Sequence, residues 1–312
     1  PEQLKDAPEG VETYANIDEM LANADINVVM VSTPNPSHPE MVKKAAAAKK
    51  HVICEKPAAM SVAEYDEMVA ACEENGVIFT VHQQRRWDKD YRIMKEVYDK
   101  SMVGDMYIIK SQLYGVNGNM HDWHIYPEMG GGMLYDWGVH LIDQMLDMVK
   151  SKIVSLYADV QNVINENVDD YFKIIMKFEN GVTAEIELGT YYLTPKRAWF
   201  IGGNKGSALI DGFAGEGKIV RTAHLLENVP GKITMTAAGP TRSFGPPEPG
   251  LLYEEPLPEV NVDHRNYFEH FLKAFNGEED IIIKPEQVRR VLCVMDAVRE
   301  SAKTGKAIAF EE

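Results

Sequence analysis

At 312 residues and 35.1 kDa, with 45% hydrophobic and 26% charged side chains, the chain has the composition of a globular protein long enough for two cores, and neither disorder nor fibrous structure is indicated. A formal charge of −16 and a pI near 5.0 disfavour nucleic acid and anionic membrane, which both need a basic face, and leave small molecules as the expected ligands. Cys54, Cys72 and Cys293 lie far apart and odd in number, which fits reduced thiols in a cytoplasmic protein, and no apolar run approaches the roughly 20 residues of a membrane helix.

In chain order, the run INVVMVSTP at 26–34 reads as a strand buried on both faces and stopped by Pro34. PEMVKKAAAAKK follows as a helix with Pro39 at its first position. HVICEKP at 51–57 is the next strand, and SVAEYDEMVAACEENG the next helix, with Ser61 and Glu64 as a capping box and Gly76 as a left-handed cap. VIFTVH is a third strand and DKDYRIMKEVYDK a further helix. This alternation predicts βαβ units on a parallel sheet, whose ligand site lies at the carboxyl ends of the strands.

After Gly104 the texture changes to longer alternating runs, DMYIIKSQLYG, YFKIIMKF and VTAEIELG, the last two joined by Asn180-Gly181, a strong hairpin signal. RAWFIGGNKGSALID predicts another hairpin, and two helices, HRNYFEHFLKAFNG and PEQVRRVLCVMDAVRESAKTG, come near the end. The stretch 223–262, rich in Pro, Gly and Thr, reads as long loop. The fold class expected is thus α/β plus α+β. A Rossmann-type parallel sheet lacking its N-terminal part, over 1–103, precedes an open mixed, largely antiparallel sheet domain with helices over 104–312.

The residues after each parallel strand are STPNPSH at 32–38 and EKP at 55–57, and about 80 positions later comes GGGMLYDWGVHLID at 130–143. Each alone has a bland reading: prolines end strands, Lys56 is a solvated lysine, and Asp136, His140, Asp143 and Asp147 form the solvated face of an amphipathic helix. Three consecutive glycines are harder to explain that way, because they cost backbone entropy and point to close approach of other chain or of a ligand. Together, in this order and spacing, the three motifs resemble the Gfo/Idh/MocA family, named for glucose–fructose oxidoreductase and inositol dehydrogenase. The resemblance extends to GGNKGSALID and to the ending ESAKTGKAIAF, and so covers nearly the whole chain.

The resemblance implies a Rossmann domain followed by an open sheet that contributes substrate contacts and packs into homodimers or homotetramers. It also implies reversible hydride transfer between NAD or NADP and a hydroxyl of a sugar, cyclitol or related polyol. It places Lys56, Asp136 and His140 in the catalytic centre, and Thr33, Pro34, Asn35, His38, Glu55, Lys56 and a cis Pro57 along the cofactor. Oxidising a secondary alcohol needs a proton acceptor and a group that holds the developing alkoxide. His140 is read as the base, Lys56 as the alkoxide stabiliser, and Asp136 as the carboxylate that orients the imidazole or meets the substrate. Arg86, His121 and Trp123 are further candidates for substrate contact, together with Asp136 and His140. A metal site from His121, His124 and His140 is discounted for want of a carboxylate or cysteine at ligand spacing.

The family's opening strand, its GxGxxG turn and the acidic residue beyond it have no counterpart in PEQLKDAPEGVETYANIDEMLANADINVVMVSTP. The expectation is that roughly 60 residues, the length of a βαβ half, precede Pro1. NAD therefore cannot be told from NADP by sequence. A non-catalytic ligand-binding regulator of the same fold and an NAD-dependent glycoside hydrolase without net redox stand as alternative functions.

Overall fold

A computed structural model describes residues 7–116, 120–223, 232–242 and 247–310. Its first half holds a parallel sheet of β1 (Val28–Val31), β2 (His51–Cys54) and β3 (Phe79–Val81), in that order. Between them run α2 (His38–Ala47) and α3 (Val62–Asn75), preceded by the short α1 (Ile17–Asn23). The strands are β-branched and apolar and bury most of their residues, as a sheet covered by crossover helices requires. Helix α3 starts as the sequence predicts: Ser61 Oγ accepts from the Glu64 N–H, while the Glu64 carboxylate reaches back to the Met60 N–H. It ends on Gly76 at φ 67°.

Helix α4 (Lys89–Asp99) leads to a nine-stranded sheet that comprises β4 (Met106–Tyr114), β5 (Ile153–Gln161), β6 (Tyr171–Phe178), β7 (Thr183–Gly189), β8 (Trp199–Gly203), β9 (Gly206–Ile210), β10 (Gly217–Thr222), β13 (Leu252–Glu255) and β14 (Ile308–Ala309). Their spatial order is β13-β10-β9-β8-β4-β7-β6-β5-β14. All pairs are antiparallel except β4 with β7, so the sheet is mixed. The Asn180-Gly181 turn joins β6 to β7, with Gly181 at φ 91°. The helices α6 (Arg265–Phe275) and α7 (Pro285–Thr304) lie where the sequence places them. Helix α7 packs on β3, α3 and β5 and so ties the two sheets together.

The stretch read as loop carries β13 and a separate hairpin, β11 (Ile233–Thr236) and β12 (Gly239–Arg242), while residues 224–231 and 243–246 of it lie outside the described residues. Tertiary pairing with β10 overrides the weak local signal there. The segment after the glycines is a π turn, Leu134–Gly138, running into α5 (Val139–Met148). The polar face of α5 is not solvated: His140 is 3% exposed and Asp143 1%.

Candidate active site

The three glycines bring this segment against its neighbours. A side chain at Gly130, where φ is +74°, would put its Cβ 2.6 Å from Asn35 Nδ2, and Cβ atoms at Gly131 and Gly132 would overlap the His124 carbonyl and Asp169. Asn35 donates to the Met129 carbonyl at 3.2 Å, and Asp169 Oδ2 accepts from the Leu134 N–H at 2.7 Å, capping the π turn. The segment is thereby docked on the end of β1 with Asp136 facing the end of β2. There Lys56 Nζ donates to Asp136 Oδ1 at 2.7 Å and to the Asp136 carbonyl at 2.8 Å. Lys56 stands two residues after β2, and its bond to Pro57 is cis, as the resemblance implies.

Asp136 does not orient His140. Its carboxylate is committed to Lys56, and the imidazole is held instead by Gln83, whose Oε1 lies 3.1 Å from His140 Nδ1. A carbonyl oxygen can only accept, so Nδ1 carries the proton and Nε2 keeps its lone pair. Burial lowers the His140 pKa well below its ordinary value, and Lys56, Arg85, His82 and His264 push it further the same way. The ring is therefore neutral at neutral pH.

Gln83 and its neighbour His82 stand just after β3, so the strand-end rule that singles out 32–38 and 55–57 picks them as well. His82 Nδ1 is 2.7 Å from Glu55 Oε1. Burial raises the Glu55 pKa, but His82 and Lys56 outweigh it and hold the carboxyl below its usual range.

Other expected site residues have different tasks. Asn35 is bonded to the glycine segment, and the buried His38 sits between the Pro57 carbonyl at 3.0 Å and the Thr33 carbonyl at 2.7 Å, so both tie turns together instead of reaching out to a cofactor. Arg86 is internal too, 4% exposed, and donates through Nε and Nη2 to Asp143 at 2.7 and 2.6 Å. Burial would lower its pKa, yet Asp143 and Asp147 more than offset this and keep the guanidinium charged. The arginine that faces open space is Arg85, with its guanidinium 4.0 Å above the Trp137 ring.

A cavity of about 420 Å³ opens where β4 and β7 end and the π turn begins, lined among others by Tyr114, His121, His124, Asp136, Trp137 and Thr190. That is the size of a small-molecule site. Trp123 is not in its wall and stacks on His124 at 3.7 Å. Among the described residues no group of three or more His, Cys, Asp or Glu is placed to hold a metal ion.

A parallel sheet with polar residues converging at its carboxyl ends is the arrangement of a Rossmann-type nucleotide-binding domain. The model of an oxidoreductase family with an NAD-binding Rossmann fold matches residues 2–83, and that of the GFO/IDH/MocA C-terminal domain matches 91–209. The crystal structure of an NAD-binding protein from Listeria innocua is 32% identical, with a TM-score of 0.89 over 96% of this chain and 86% of that one. An uncharacterized oxidoreductase of Schizosaccharomyces pombe is 28% identical over 98% of this chain and 87% of its own length. The scyllo-inositol 2-dehydrogenase (NADP(+)) IolW of Bacillus subtilis is 25% identical over 99% and 86%. The chain belongs to the Gfo/Idh/MocA oxidoreductase family.

The family's cofactor is a nicotinamide dinucleotide, and the strand ends fit one end of it. Thr33 and Pro34 are exposed, Glu55 and Lys56 are half-buried, and the buried His82 Nε2 and Gln83 Nε2 have no hydrogen-bond partner. Those groups suit a ribose and a carboxamide. No residue is assigned to the pyrophosphate, since the 312 residues contain no GxGxxG turn.

Proposed function

We propose that the protein is an NAD(P)-dependent dehydrogenase that moves a hydride between the nicotinamide and a hydroxyl-bearing carbon of a neutral sugar, cyclitol or related polyol. The observation that carries this reading is the pairing of Lys56 and Asp136 beside a neutral, singly oriented His140. An ammonium has three hydrogens; Asp136 takes two, and the third remains for a substrate oxygen. Lys56 then stabilises the negative charge that grows on that oxygen, and Asp136 fixes where the ammonium stands. His140 Nε2 accepts the hydroxyl proton. When bound, the nicotinamide supplies the acceptor for the hydride. The inositol dehydrogenases among the relatives, IolW and a myo-inositol 2-dehydrogenase of Thermotoga maritima that is 24% identical over 57% of this chain, support the substrate class.

The test is nicotinamide absorbance in the full-length protein across sugars, inositols and sugar acids. Steady reduction is expected, cut at least ~100-fold by Lys56→Ala and by His140→Ala. Product released from aryl glycosides without net reduction would overturn the dehydrogenase reading in favour of redox-assisted hydrolysis.

A further inference from the structure

Trp137, Leu113 and Tyr114 line the larger cavity on one side and a second, more enclosed one on the other. The second measures about 180 Å³, below the roughly 300 Å³ of pockets that hold a ligand alone, so it suits a substituent better than an independent molecule. Its wall is built and polar. Asp90 is 3% exposed; its Oδ2 accepts from the Trp199 indole N–H at 3.0 Å, while its Oδ1 is buried without a partner. The buried Nε of Arg85 is likewise unpartnered. Ser111, 1% exposed, lines the same space, as do Trp137, Trp199 and Phe213.

The charge of this wall decides what can enter. The one guanidinium, Arg85, is paired with Asp88 at 3.0 Å, and Asp88 also meets His264. Asp90 has no cation beside it, and Asp211 meets only the exposed Arg197, at 4.0 Å and outside the cavity wall, so a phosphate or carboxylate would face an excess of anions. Hydroxyl groups can donate to the carboxylates, and the C–H faces of a sugar chain suit the aromatic walls. The volume equals about six waters' worth of liquid, or about three CH(OH) units of two heavy atoms each.

We infer that this cavity is a second substrate subsite, which takes a neutral hydroxylated chain of up to about three carbons branching from the ring held beside Lys56, Asp136 and His140. The inference rests on the dehydrogenase reading for where the ring lies. The substrate is then an extended sugar in preference to a bare cyclitol or pentopyranose.

The experiment compares two series with zero, one and two exocyclic carbons: D-xylose, D-glucose and the gluco-heptose, and D-lyxose, D-mannose and the manno-heptose. Each is measured by calorimetric binding to the full-length protein and by kcat/KM for nicotinamide reduction. Ala198→Leu fills the cavity from a half-buried position, and Asp90→Asn removes the charge while keeping the indole contact. In the wild type, affinity rises along at least one series. Each variant abolishes that rise, at least tenfold at the heptose, and leaves the pentose within twofold. Equal losses on pentose and heptose, or no preference for the longer sugars, overturn the subsite. Because binding is read without turnover, extended sugars that bind Asp90-dependently but reduce no cofactor would sink the dehydrogenase reading and keep the subsite.

Discussion

Which ring nitrogen of His140 carries the proton decides what that side chain can do, and Gln83 decides the nitrogen. Replacing Gln83 by Glu puts an anion 3.1 Å from Nδ1 and so favours the imidazolium. In the wild type, where burial and then Lys56, Arg85, His82 and His264 depress the pKa, the His140 ring stays unprotonated below pH 6.5. The acid limb of kcat/KM therefore lies below pH 6.5, and Gln83→Glu is expected to move it upward. Gln83→Leu leaves Nδ1 without an acceptor and is expected to lower kcat/KM roughly 10–100-fold with the protein still folded. A pH profile that superposes on the wild type in Gln83→Glu would sink the positioning role. The sequence shows Lys56, Asp136 and His140 because they stand in motifs. Gln83 is silent because its importance lies in a contact 57 residues away along the chain.

At the scale of elements, what local chemistry sets is legible and what distant pairing sets is not. Apolar β-branched runs, the Ser61 cap, the Gly76 stop and the Asn180-Gly181 turn act within a few residues, and each appears where the pattern puts it. The parallel pairing of β4 with β7, the strand β5 and the strand in 252–255 depend on partners elsewhere in the sheet. The polar stripe of α5 shows the same limit: its spacing is that of a solvated face, but Arg86 and Gln83 arrive from β3 to cover it. The glycine run was the one local sign that something comes close. Gly130→Ala combines a left-handed backbone angle with a Cβ 2.6 Å from Asn35 Nδ2, and should cost about 2–4 kcal/mol in urea unfolding. Asn35→Ala removes the obstructing amide, so the double variant should lose less than the sum of the two single losses. Strict additivity would mean that the contact between the glycine segment and the end of β1 does not limit substitution there.

Across the whole molecule, Arg86 links three parts of the fold. It follows the parallel sheet, bonds Asp143 on α5 beneath the mixed sheet, and donates from Nη1 to Gln287 of α7 at 3.1 Å. Asp147, which also accepts from the Tyr91 hydroxyl at 2.5 Å, lies 3.6 Å from the same guanidinium. Taking these charges out of water is expensive, so the pair adds little net stability against an apolar replacement, whereas removing one partner strands the other. Arg86→Met leaves Asp143 buried beside Asp147 without a cation and should cost about 3–5 kcal/mol. Arg86→Met with Asp143→Leu should recover most of that loss, giving a coupling energy of about 2 kcal/mol or more in a double-mutant cycle. Since the network sits where the parallel sheet meets α5, the single variant should also loosen the Lys56–Asp136 pairing and lower kcat, and the apolar double variant should restore both together. Stability recovered without activity would show that the ion pair sets the alignment of the site as well as the fit of the two sheets.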